Sequence, residues 1–102
     1  MSQADDALRN NRVGPVMRSG EIADAVIEAA EMDNPDKEIT VDDMNAYQRI
    51  SADSELILTR ESMELCLGRS FRMAELEINL SSFAGKIESG TERFRFYFTS
   101  TL

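Results

Sequence analysis

Histidine is absent from all 102 residues. That removes the usual acid/base group at neutral pH, the commonest zinc and iron ligand, and every Ser-His or Cys-His nucleophile. Cys66 is the only cysteine, so neither an intrachain disulfide nor a two-cysteine metal clamp can form. Three residues after Met63, it reads as a small buried hydrophobe in a reducing compartment. The carboxylates remain. Di-iron sites of helical bundles need Glu-x-x-His pairs, which this chain cannot build. Asp33-Asn34-Pro35-Asp36-Lys37-Glu38 has the acidity of a calcium loop, but proline stands where the third ligand belongs and the required glycine is missing. No catalytic, metal-binding or cofactor-binding set emerges, and the expectation is a protein without cofactor.

The chemistry that stays open is contact. In Glu75-Leu76-Glu77-Ile78-Asn79-Leu80, apolar and polar residues alternate as in a half-buried strand. It runs into Ser81-Ser82-Phe83-Ala84-Gly85, where small residues surround one large aromatic at a loop, the kind of place where binding residues concentrate. An ordinary turn with Gly85 at positive φ is the plain alternative. A strand follows at Arg93-Phe94-Arg95-Phe96-Tyr97-Phe98-Thr99, with Phe94, Phe96 and Phe98 expected toward the core. Arg93, Arg95 and Tyr97 then take the other face, to meet a partner or simply to keep the sheet soluble.

Nineteen acidic and eleven basic residues leave a formal charge of −8. Such a chain repels phosphate backbones and favours a partner with basic surface. No apolar run approaches the roughly 20 residues of a membrane span, and the start lacks a basic-then-apolar signal pattern. A cytoplasmic, metal-free monomer is expected.

The elements that would position these residues can be read in order. Residues 1–11 read as a flexible N-terminal tail and 12–102 as one domain. Val13 to Arg18 is a strand candidate that Pro15 confines to an edge or a strand start. Ser19 can cap a helix from Gly20 to about Met32. Ile22, Val26, Ala29 and Ala30 form its apolar stripe; Glu21, Asp24, Glu28 and Glu31 form an acidic ridge, either a solvated face or a docking surface. Ile39 and Val41 mark a short strand. Tyr47 to Ala52 and Glu55 to Thr59 read as a hairpin turned at Asp53-Ser54. Thr59 caps a second helix that reaches Leu67 and stops at Gly68. Phe71 to Ala74 can add a helical turn before the last strands. The order is β-α-β-β-β-α-β-β, an α+β domain with mostly antiparallel pairing.

Several of these segments together resemble a known family. Asn10-Asn11-Arg12-Val13-Gly14-Pro15-Val16, Asp33-Asn34-Pro35-Asp36-Lys37-Glu38-Ile39-Thr40-Val41, Glu55-Leu56-Ile57-Leu58-Thr59-Arg60 and the final strand pair with its serine loop occur in one order from Leu8 to Phe98. In that order they resemble the effector, or coupling, proteins of bacterial multicomponent aromatic-hydrocarbon monooxygenases, particularly the toluene systems. The resemblance implies a cytosolic, non-enzymatic subunit that docks on a carboxylate-bridged di-iron hydroxylase and changes its reactivity. A reductase, often through a Rieske ferredoxin, supplies the electrons and competes for the same surface. It also implies contact residues, in the tail at Asn10, Asn11 and Arg12 and in the serine-containing loop at Asn79, Ser81, Ser82, Phe83 and Gly85. Two other classes stay open: an Asp/Glu-only enzyme, and, as the better rival, a small-ligand-binding α+β domain.

Overall fold

The structure, a computed structural model, describes residues 11–99. Its elements are β1 (Arg12–Arg18), α1 (Glu21–Asp33), β2 (Thr40–Asp43), β3 (Tyr47–Asp53), β4 (Glu55–Thr59), α2 (Arg60–Leu67), α3 (Met73–Ile78), β5 (Leu80–Ala84), β6 (Lys86–Ser89) and β7 (Arg93–Tyr97). They form two antiparallel sheets, ordered β2-β3-β1-β5 and β4-β7-β6. The α+β expectation holds, with one more helix and one more strand than the sequence suggested.

One core serves both sheets. Val13 and Met17 of β1, Ile50 and Ala52 of β3, Leu56 and Leu58 of β4, and Phe94 and Phe96 of β7 meet α1 along Ala23, Val26, Ala29 and Ala30. Small alanines on α1 let the helix approach the sheets closely. Its start lacks the expected serine cap: Gly20 is the N-cap, while Ser19 Oγ donates to Asn45 O at 2.6 Å. Its end is tied firmly. Asn34, 5% exposed, donates through Nδ2 to Ala30 O and Ile57 O at 2.8 Å and accepts from the Ile57 N–H at 3.0 Å. Asp33 accepts from the Thr59 N–H at 2.8 Å and from Ser62 Oγ at 2.6 Å. The stretch that looked like a calcium loop thus fastens α1 to β4 and α2.

At α2 the local signals act as expected. Thr59 Oγ1 accepts from the Ser62 N–H at 3.2 Å, and Gly68 closes the helix at φ 71°.

Further expectations are corrected, among them the loop at Ser81–Gly85, whose Ser81–Ala84 belongs to strand β5 because it pairs with β1. Leu76 to Leu80 is not one strand: Met73–Ile78 is helical, with Met73 and Leu76 buried and Ile78 76% exposed. Met, Ala, Glu and Leu are strong helix formers, and burial three residues apart satisfies a helix as well as alternation would a strand. Tyr47–Asp53 and Glu55–Thr59 are strands but not a hairpin, because β3 pairs with β1 and β2 while β4 pairs with β7. Ser54 at φ 70° is the corner where the chain leaves one sheet for the other. Pro15 lies in a strand interior, since β1 runs between β3 and β5. Phe98, placed in the core by its alternation with Phe94 and Phe96, follows the end of β7 and is 47% exposed.

Candidate functional site

Side chains alternate across β1. Val13, Pro15 and Met17 are buried, whereas Arg12, Val16 and Arg18 point away from the core. Cross-strand partners share a face, so register assembles the outer surface. Thr40 lies opposite Ser51, Asp42 and Val16 opposite Arg49, Ser82 opposite Val16, and Ala84 opposite Gly14. A groove of about 700 Å³ crosses this surface, lined among others by Arg12, Thr40, Arg49, Ser82, Phe83 and Phe98.

Phe83 borders the groove from the edge strand β5; it lies opposite buried Pro15, so its side chain is on the core side of the sheet. It is 42% exposed, and its ring centroid lies 6.2 Å from that of buried Phe96 at a 55° tilt. Part of the ring therefore completes the core and part stands open beside Phe98. Two partly exposed aromatics next to backbone and hydroxyl groups suit an apolar anchor within a polar rim.

Neighbouring residues shape this border. The pairing of β1 with β5 shifts between Val16–Ser82 and Met17–Leu80, which leaves Ser81 in a bulge. A bulge re-aims side chains at a sheet edge. Gly85 joins β5 to β6 and so carries the chain between the sheets at φ 89°. A Cβ there would lie 2.6 Å from Val13 Cγ1 and 2.7 Å from Tyr97 O, so only glycine fits. Arg12 fastens the other side: Nη2 donates to Thr40 Oγ1 at 2.5 Å and to Ser51 O at 2.8 Å, and Nε donates to Ser51 Oγ at 3.3 Å.

Of the residues singled out in the sequence, Arg12, Ser82, Phe83 and Gly85 line one groove. Ser81, exposed in its bulge, adjoins them. Asn11 instead braces the Ser54 corner, donating through Nδ2 to Ser54 Oγ at 2.9 Å and accepting the Ser54 N–H at 3.0 Å. Asn79 is the C-cap of α3, where Nδ2 donates to Glu75 O at 3.0 Å and the carbonyl accepts the Arg18 N–H at 2.9 Å. Asn10 and the rest of the expected tail before Asn11 lie outside the described residues.

Sequence reasoning missed Thr40, Asp42, Arg49 and Phe98. The first three become neighbours of Ser82 only through non-local register, which no local pattern displays. Phe98 had a signal: it is the last aromatic of its run, where pairing can lapse.

Cys66 lies elsewhere, half-buried with Sγ 3.6 Å from Met32 Sδ. Burial, with Glu28 nearby, pushes its thiol above the usual range, a setting for a quiet thiol. Arg95 bridges Glu55 and Glu88 across three strands and stacks over Tyr97 with 4.2 Å to the ring centroid. Among the described residues no cluster of three or more Cys, Asp or Glu is arranged to hold a metal ion. None of the described helices is long and apolar enough to cross a membrane.

Known proteins resemble this chain in sequence and fold. The chain is 46% identical over 95 residues to the effector subunit of an alkene monooxygenase system from Xanthobacter autotrophicus, covering 93% of this chain and 94% of that one. Its fold matches a chain in the structure of a phenol hydroxylase–regulatory protein complex with a TM-score of 0.71 and 32% identity, covering 86% of this chain and 99% of that one. The regulatory protein B of soluble methane monooxygenase shares the fold at a TM-score of 0.63 and 20% identity, with 86% and 65% of the two chains covered. The MmoB/DmpM family matches residues 11–97, and over that span the chain belongs to it.

Proposed function

We infer that this protein is the effector subunit of a multicomponent monooxygenase. It has no catalytic role of its own and acts by binding the hydroxylase of its system. The carrying observation is the 46% identity to an effector subunit along almost the whole of both chains. The hydroxylase is of the carboxylate-bridged di-iron kind, the complex forms in the cytoplasm, and the free effector is a monomer. Docking displaces the ferredoxin or reductase from a shared surface.

The groove face of the four-stranded sheet supplies the contact. Phe83, flanked by Ser81 and Ser82, enters an apolar recess of the hydroxylase, with Arg12 beside it. Asn11, Asn79 and Gly85 hold the shape of this face and of its edges. Asn10 and the residues before it add contact area from the tail. An effector that binds one hydroxylase conformation more tightly than another shifts the population by that difference alone. That is sufficient to tie oxygen use to substrate hydroxylation without any cofactor on this chain.

Substrate choice belongs to the hydroxylase pocket. A toluene-type aromatic substrate fits the match to the phenol hydroxylase complex, and an alkene fits the more similar alkene monooxygenase relative. Reconstituting the hydroxylase with and without this chain, on toluene and on propene, tests both. The effector must raise product per oxygen consumed on at least one. No change on either ends the reading.

A further inference from the structure

Charge is unevenly placed on this molecule. The outer face of the four-stranded sheet presents Arg12 and Arg18 from β1 and Arg49 from β3, against Asp42 of β2 and Asp53 of β3. Arg18 and Arg49 are exposed. Opposite Tyr47 and Val16 respectively, they are diagonal neighbours on one face. Among the described residues neither makes an ion pair, whereas Arg60, Arg69 and Arg95 each pair with a glutamate. On the other side of the core, α1 carries Glu21, Asp24, Glu28, Glu31 and Asp33 and no basic residue. A chain of net charge −8 thus carries a local positive excess on the face that the groove crosses, with Phe83, opposite buried Pro15, at its edge.

We propose that Arg18 and Arg49 dock on an acidic patch of the hydroxylase, and that the acidic α1 repels that patch and so selects the orientation of approach. The proposal rests on the effector reading and adds the sign of the partner surface and the two side chains that read it. Opposed poles on one small protein turn it in the partner's field before contact, which raises the productive association rate and makes it depend on salt. Arg49 lines the groove and Arg18 is exposed on the same face, so they act on encounter while Phe83 acts on residence.

The test is stopped-flow association of the full chain with the hydroxylase of its own system at low and high ionic strength. Arg18→Glu combined with Arg49→Glu is expected to slow association by about tenfold at low salt, with the gap closing at high salt. Glu21→Lys combined with Glu28→Lys on α1, which weakens the opposing pole, is expected to slow productive association at low salt by about twofold, less than the arginine variant does. Should the glutamate pair lower the melting temperature, Arg18→Gln with Arg49→Gln decides, with a slowing of about threefold expected. Wild-type association rates in the arginine variants, or equal slowing in the α1 variant, overturn the proposal and leave the effector reading standing. Absence of any binding by the wild-type chain overturns both.

Discussion

Phe83 divides its ring between core and surface, so its two roles predict different losses. Phe83→Ala removes roughly half of a buried aromatic, about 1 kcal/mol of fold stability, read as a melting temperature lower by a few degrees. Loss of a contact anchor costs about 2 kcal/mol of hydroxylase binding, roughly thirtyfold in affinity. If affinity stays at wild-type level while only the melting temperature falls, Phe83 is a core residue and not a contact. Gly85 needs no partner to explain it. Gly85→Ala combines a positive φ with a Cβ 2.7 Å from a backbone oxygen, and should cost about 2–3 kcal/mol in a urea melt. A near-neutral melt would mean that the corner between the sheets relaxes freely. Cys66 calls for a kinetic check. Its pKa is raised by burial and by Glu28, which lowers the thiolate fraction below that of a free cysteine, so the folded protein should alkylate with iodoacetamide several-fold more slowly than a free thiol. Equal rates would mean that burial does not protect it.

At the scale of elements, the joint between α1, β4 and α2 depends on Asp33 and Asn34. Asn34→Ala leaves the Ile57 N–H and carbonyl without their side-chain partners in a part-buried setting. It should destabilise by about 2–3 kcal/mol, and a thermal melt unchanged within a degree would contradict the role given to this amide. The same joint shows what a sequence can display. The Thr59 cap and the Gly68 stop were legible because both signals act within one turn of their helix. Asp33 and Asn34 showed only as acidic loop residues, because their partners lie more than twenty residues ahead. Met73–Ile78 misled because its few apolar residues satisfy either period, and helix propensity together with a Glu75 side chain accepting the Arg72 N–H decided for a helix. The serine loop drew attention through its composition and through the family resemblance. That it is an edge strand with a bulge, continued by β6 beyond Gly85, depends on the pairing of two sheets. For the same reason Arg12, Ser82 and Phe83 could be named from sequence, but Thr40 and Arg49 could not be placed beside them.

At the scale of the whole molecule, composition and fold point one way. A chain without histidine, with one half-buried cysteine and a net charge of −8, is suited to recognising a protein surface. Its two sheets share one core, which leaves the outer face of the larger sheet open as a platform set by register and braced by Arg12. A rigid platform of this kind acts on a larger partner through differential affinity for the partner's states. The most direct measurement is therefore product formed per oxygen consumed by the purified hydroxylase and its electron-transfer proteins as this chain is titrated in. The ratio should climb toward one and saturate near one effector per hydroxylase active site, with Phe83→Ala shifting the curve to higher concentration. A ratio that stays flat through an excess of folded wild-type protein would contradict the effector reading.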